Sequence, residues 1–438
     1  MTNLSLKEHL RRNIKLAYPV IIGQVGHIMV SVADTMMVGK VGVIPLAAAT
    51  FGSTFYTVLM IFGIGVSYAI TPLVAATDSK NQSKLMQFFQ NGLAMNLVLS
   101  LVLVGIGLLV SPFLEYFGQE PEVAALAGPY LIVMCISLVP LMHFQTYRQF
   151  SEGLSDTFNP MWVSILANLL NIGLNYILIY GAFGVPAYGL IGAGYATLIA
   201  RVIMAILMYL VTKKKLTGFK WQFDWSIVKK MLNIGVPSGM QYVFEIGAFA
   251  AAAIMAGWIN AESQAAHQIG INLAAITYMA ATGLGAAGTI RIGNQMGLKN
   301  IKDLKIAGYS LMLTVIAFMV ICGLAFIIFR HQLVALYITD AFVQKLAAGL
   351  LIVAAAFQVS DGMQAVGLGV LRGLTDVKIP TIVTFIAYWM IAIPGGYVLG
   401  FVFDLGVYGI WYGLLGGLTV SAILHVLRFR HLVDRLHL

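Results

Sequence analysis

Long apolar runs, separated by short polar or Gly/Pro-punctuated stretches, fill the chain from end to end. They fall at about 14–38, 46–75, 88–111, 124–147, 160–182 and 188–211 in the first half. In the second half they fall at about 232–258, 264–290, 306–329, 346–370, 379–402 and 407–428. Each is as long as the roughly 20 residues that a helix needs to cross the hydrocarbon layer of a bilayer. The pattern predicts an all-α, polytopic membrane protein with twelve transmembrane helices.

Composition agrees with that reading and narrows it. The chain has 438 residues, 60% hydrophobic and 10% charged, against roughly 25% charge in a soluble domain. Its mean hydropathy is +0.88, which excludes a soluble enzyme. Cys135 and Cys322 both lie inside apolar runs, so no disulfide framework or cysteine metal cage is expected. The first apolar run is long and carries Asp34, and so reads as a retained span rather than a cleaved signal.

With the amino terminus inside, twenty-two of the 26 lysines and arginines fall on loops or termini of the cytoplasmic side. Lys40, Arg330 and Lys345 fall outside, and Arg201 lies within a span. Both termini are therefore expected in the cytoplasm, with the plasma membrane, in a bacterium the inner membrane, as the location. The pI of about 9.4 follows from this topology, and no nucleic-acid partner is implied. The longest polar stretch, 212–230, carries Lys213, Lys214 and Lys215 with Trp221, Phe223 and Trp225. It reads as an amphipathic linker on the anionic inner leaflet. It also divides the chain into an amino-terminal lobe, 1–211, and a carboxyl-terminal lobe, 231–438.

An internal repeat supports the division. EGLSDTFNP at 152–160 and RGLTDVKIP at 372–380 share Gly, Leu, Asp and Pro at an offset of 220 residues. The same offset maps Tyr188-Gly189 onto Tyr408-Gly409, and Gly63 and Gly65 onto Gly283 and Gly285. Six spans per half bring both halves into the membrane from the same side. Two six-helix lobes related by a pseudo-two-fold axis along the membrane normal are expected. Asp156 and Asp376, in the repeated turns, are expected to cap helix ends, with Arg148 and Arg372 pairing with local acids or carbonyls.

Three acids, Asp34, Glu245 and Asp361, are embedded in apolar runs, where a carboxylate costs at least about 2.5 kcal/mol. Such a group is tolerable when a proton, a bound cation or a cationic substrate neutralises it. Competition between two of these for one charge would make the protein a cation-coupled antiporter. The acids are not symmetric, because Glu245 and Asp361 both belong to the carboxyl lobe while Asp34 is alone in the amino lobe. Near Asp34, Asn171 and Asn175 share a helix face at i and i+4, with Asn168 a turn earlier and Thr197 on the next span. This stripe could hydrogen-bond a protonated Asp34, supply oxygens to a hard cation, or simply join helices.

VADTMMVG within 19–39, RQFSEGLSDTFNP at 148–160, Glu245 after Pro237, and Asp361 before LRGLTD resemble the multidrug and toxic compound extrusion (MATE) transporters over nearly the full length. The acids at 245 and 361 resemble the NorM-like branch rather than the DinF-like one. The resemblance implies that Glu245 and Asp361 form a cation site, with Na+ the favoured ion and H+ the alternative, and that Tyr278 offers its ring to the cation. It also implies export of bulky, often cationic amphipathic compounds; a monomer in the bilayer and no other cofactor are expected. Asn175 stands where the DinF-like pattern has an acid, which weakens a high-affinity cation site at Asp34. Met29, Met255, Met279 and Met363, with His27 on the face of Asp34, are candidate substrate-contacting residues, and His27 and His267 could titrate.

Three other functions compete. A lipid-linked-oligosaccharide flippase would require more intramembrane bases than Arg201. A non-transport membrane enzyme would require a nucleophile or metal motif, and none stands out in the sequence. A passive channel would show no substrate-dependent ion exchange.

Overall fold

A computed structural model describes residues 5–216 and 221–436; Lys220 of the linker lies outside the described residues. Twelve helices among them are long and apolar enough to cross a membrane. In the first half these are α1 (Leu6–Gly39), α2 (Val43–Ala75), α3 (Gln82–Phe117), α4 (Pro121–Gly153), α5 (Phe158–Tyr180) and α6 (Gly189–Lys215). In the second they are α7 (Trp225–Ile259), α8 (Ala261–Gly297), α9 (Ile301–Ala335), α10 (Ala341–Gly373), α11 (Lys378–Val402) and α12 (Gly406–Asp434). Four of them begin ahead of the apolar stretch that predicts them with a capped polar first turn. Asn81, Asn260, Asn300 and Asp340 each accept a hydrogen bond from the backbone N–H three residues on, at the starts of α3, α8, α9 and α10. That satisfies one of the donors left open at a helix N-terminus.

The chain folds into two compact units. One comprises Ile22–Gly239, the other Met1–Ile21 with Met240–Leu438. Helices α1 and α7 each pass from one unit to the other, between Ile21 and Ile22 and between Gly239 and Met240. Both crossings follow a helix-interior proline, Pro19 or Pro237. A proline there removes one backbone hydrogen bond and favours a bend.

Within each unit, small residues let helix backbones approach. In the second-half unit, Gly409, Gly413 and Gly417 line the face of α12 that meets α11. A Cβ on Gly417 would come within 2.5 Å of the Ala387 carbonyl oxygen. Opposite this stripe α11 widens to π-helical winding at Ile386–Ala392 and Val398–Val402, on either side of Pro394, a distortion that packed neighbouring helices can accommodate.

The repeated turns are built alike. Ser155 and Thr375 both adopt the left-handed conformation, with φ of 64° and 61°. Asp156 N–H bonds the Ser151 carbonyl at 2.9 Å, and Asp376 N–H bonds that of Leu371 at 3.0 Å. Asp156 also accepts from the Asn159 backbone at 3.2 Å and from Lys215, while Asp376 accepts two bonds from Arg428 at 2.8 and 3.3 Å. Arg148 pairs with Glu152 at 2.7 Å. All three acids pair with a basic residue, and Asp156 alone also accepts a backbone N–H at a helix start.

Candidate cation and substrate sites

In the unit Ile22–Gly239, α1, α5 and α6 bring four of the sequence-selected residues into one hydrogen-bonded chain. Asn175 donates to the Asp34 carboxylate and, at 3.2 Å, to the side-chain oxygen of Asn171. Asn171 in turn donates to Thr197 Oγ1 at 3.5 Å, and Thr197 closes the chain on the Ala193 carbonyl at 3.0 Å. Asn171 and Asn175 meet because i and i+4 lie one above the other on a helix. Beside them, the Asn168 side chain reaches α1 at Gly26, where a Cβ would lie 3.3 Å from its Nδ2. Both asparagines are buried, and Asn175 Oδ1 has no hydrogen-bond partner. The site thus holds one charged acceptor and one open carbonyl oxygen.

One turn beyond Thr197 on α6, the buried Arg201 donates to the Tyr56 hydroxyl and, at 2.6 Å, to Ser137 Oγ. Neutral ligands on α2 and α4 hold this guanidinium, and the sequence marks the charge while giving no sign of those partners.

In the other unit, α7, α8 and α10 carry Glu245, Tyr278 and Asp361. The two carboxylates are each 5% exposed. Tyr278 lies near Glu245, and the two acids are close enough that a charge on one would raise the cost of a charge on the other. Glu245 Oε2 has no hydrogen-bond partner. An unpartnered oxygen on a buried acid is costly until a donor or cation meets it. Around the acids lies a shell of polar side chains that periodicity does not reveal. Gln364, three residues after Asp361, donates to the buried Tyr388 hydroxyl at 2.8 Å, and Gln358 donates to Thr277 at 2.8 Å. Among the described residues no three His, Cys, Asp or Glu side chains converge.

The remaining candidates are dispersed. His27 is exposed, with no hydrogen bond to the Asp34 chain. His267 is buried and accepts from Trp411 Nε1 at 3.0 Å, so it acts as a packing partner. Met29 is 67% exposed, whereas Met255 is buried in an apolar core with Ala252 and Ala256. Met279 and Met363 are half-buried, and Met363 packs with Tyr278 against a second core of that unit.

Comparison with known proteins gives a consistent picture. The MatE family model matches residues 19–177 and 237–398. The chain is 32% identical to a probable multidrug resistance protein NorM of Bradyrhizobium diazoefficiens, over 98% of this chain and 95% of that protein. It is 33% identical to the multidrug resistance protein MdtK of Photorhabdus laumondii, over 96% and 94%. Among solved structures, a MATE crystal structure in the bent conformation superposes with a TM-score of 0.89 at 19% identity, over 99% of this chain and 98% of that one. An outward-facing multidrug resistance MATE family transporter of the MOP superfamily gives 0.88 at 20% identity, covering 99% of both chains.

Proposed function

The chain belongs to the MatE family, and from that premise we propose that it is a multidrug efflux antiporter that exports bulky, often cationic amphipathic compounds in exchange for Na+ or H+. The observation that carries the reading is the buried pair Glu245 and Asp361, with Glu245 Oε2 unpartnered. Two carboxylates and the Tyr278 hydroxyl offer only oxygen donors, the chemistry that a hard cation takes. A proton satisfies the same acid equally well. Either ion neutralises charge that is expensive at membrane depth, so a cationic substrate and the coupling ion compete for it.

Alternating access then follows from linkage. A ligand shifts a two-state protein only by its differential affinity for the two states. If the coupling ion and the substrate each favour the site in a different state, entry of one drives release of the other. We favour Na+ at Glu245 and Asp361, and give Asp34, with Asn171, Asn175 and Thr197, a proton-binding or cation-binding role in the amino lobe. The same reading puts the protein in the bacterial inner membrane as a monomer, with both termini cytoplasmic.

The flippase alternative turns on Arg201 as a phosphate ligand, and that guanidinium is buried and already engaged by Tyr56 and Ser137. The test is transport of a fluorescent cationic dye in proteoliposomes, comparing a Na+ jump with a pH jump. Dye movement should follow at least one of the two gradients. Movement indifferent to both would exclude antiport.

A further inference from the structure

Residues 221–224, just ahead of α7, are fastened to the body of their unit at the level of their backbone. Gln222 N–H donates to Gln90 Oε1 at 3.0 Å, Asp224 N–H donates to Asn91 Oδ1 at 2.8 Å, and Asn91 Nδ2 returns a bond to the Gln222 carbonyl at 3.2 Å. Gln90 and Asn91 lie on α3 and are 2% and 1% exposed. These two buried amides act as a mould for alternate residues of the connection. The residues between and beside them, Trp221, Phe223 and Trp225, are 58%, 57% and 62% exposed.

Three large aromatic side chains held outward on a fixed backbone form an apolar surface that water does not stabilise. The charge around them is one-sided. In the chain, Lys213 and Lys214 precede them and Lys229 and Lys230 follow them, all four exposed, and Lys80 and Lys84 are exposed at the start of α3, the helix that holds residues 221–224. The nearby acids are occupied. Asp224 accepts from the Ser226 backbone and hydroxyl at 2.8 and 2.7 Å, and Asp156 is paired with Lys215. Asp224 keeps its negative charge, and the four exposed lysines outnumber it, so the net charge is positive, next to aromatic rings of the kind that settle at a bilayer interface.

We propose that Trp221, Phe223 and Trp225, with Lys213, Lys214, Lys229 and Lys230, form a docking surface for anionic phospholipid headgroups, presented in fixed register by Gln90 and Asn91. The rings enter the headgroup and upper acyl region, and the lysines meet the phosphates. Each lysine near an anionic surface strengthens attraction by roughly fivefold, so four together select anionic over zwitterionic lipid. The surface needs no substrate or coupling ion and stands apart from the transport reading.

The test uses the full chain in bilayers containing lipids brominated near the headgroup, which quench tryptophan on contact. The signal of interest is the quenching lost in Trp221→Phe/Trp225→Phe relative to the wild type. At equal mole fraction, brominated phosphatidylglycerol should quench it at least about twofold more than brominated phosphatidylcholine. The excess should shrink at high salt in the wild type, which needs no variant to fold. It should also shrink in Lys213→Gln/Lys214→Gln/Lys229→Gln/Lys230→Gln. Equal quenching by the two lipids, an excess insensitive to salt, or absence of quenching by either would each overturn the proposal.

Discussion

Replacing Asn175 by alanine removes the side chain that links Asp34 to the rest of its polar chain, and the size of the loss distinguishes a charged site from ordinary helix packing. Asn175 is fully buried and donates to both Asp34 and Asn171. A hydrogen bond to a charged acceptor contributes about 1.5–3 kcal/mol, whereas neutral polar pairs between membrane helices average about 0.6 kcal/mol. A double-mutant cycle of Asp34→Ala, Asn175→Ala and the pair should therefore return a coupling of about 1.5 kcal/mol or more, a factor of about ten in the unfolding equilibrium. The assay is reversible unfolding in mixed micelles, followed by circular dichroism. Acidification discharges the carboxylate and should bring the coupling down. The corresponding cycle for Asn171 and Thr197, joined at 3.5 Å without a charge, should stay near the neutral figure. A coupling of about 0.6 kcal/mol or less for Asp34 and Asn175 would refute the reasoning and leave the cluster as interhelical glue.

Other expectations address the second acid site, the packing and the repeated turn. Glu245→Gln and Asp361→Asn should each abolish ion-coupled dye export in proteoliposomes while the circular dichroism spectrum stays helical; wild-type export would remove those residues from the mechanism. A Cβ on Gly285 would lie 2.7 Å from the Ala365 carbonyl oxygen, whereas one on Gly105 would have nothing within 4 Å. Gly285→Val should therefore cost about 1–3 kcal/mol of stability, and Gly105→Ala about 0.5 kcal/mol or less, both read from denaturation midpoints. For Asp156, burial opposes the charged form, but the hydrogen bonds from Lys215 and Asn159 outweigh it and hold the carboxyl below the usual aspartate value. A depressed folded-state value gives stability that is present above the ordinary carboxylate range and lost as pH falls through the lowered one. Acid titration of unfolding should show a steeper loss in the wild type than in Asp156→Asn, and parallel curves would contradict the pairing.

Much of the architecture is legible in the residue order because the bilayer imposes it. Span length follows from hydrocarbon thickness, and a carboxylate in an apolar run is conspicuous whatever surrounds it. The turns at 152–160 and 372–380 were readable as matched turns, and the left-handed Ser155 and Thr375 show why the pattern repeats; the capping role expected of both acids holds for Asp156, whereas Asp376 pairs with Arg428 instead. The asparagine stripe on α5 was readable from its i, i+4 spacing, and Asp34 as its partner from the isolation of that acid.

What escaped the sequence depends on neighbours distant in the chain. Nothing local to Gln364 or Gln358 announces Tyr388 or Thr277 as a partner, and the ligands of Arg201 come from α2 and α4. The passage of α1 and α7 between units is equally silent, since each reads as a single uninterrupted apolar helix. The buried pairing of His9 with Arg291 at 2.8 Å and of Asn13 with Ser310 at 2.8 Å arises there, where the first turns of α1 join the second-half unit. Methionine spacing does not distinguish environments, because a flexible thioether suits a core and a surface equally: Met255 is buried and Met29 exposed.

The most direct measurement of the central claim is the dissociation constant of a fluorescent cationic substrate, read by anisotropy on the purified protein while Na+ and pH are varied separately. If Glu245 and Asp361 hold either the coupling cation or the substrate, wild-type affinity should weaken as Na+ or proton concentration rises, and Glu245→Gln/Asp361→Asn should lose that dependence. An affinity for the dye that stays constant across both titrations in the wild type would contradict the account.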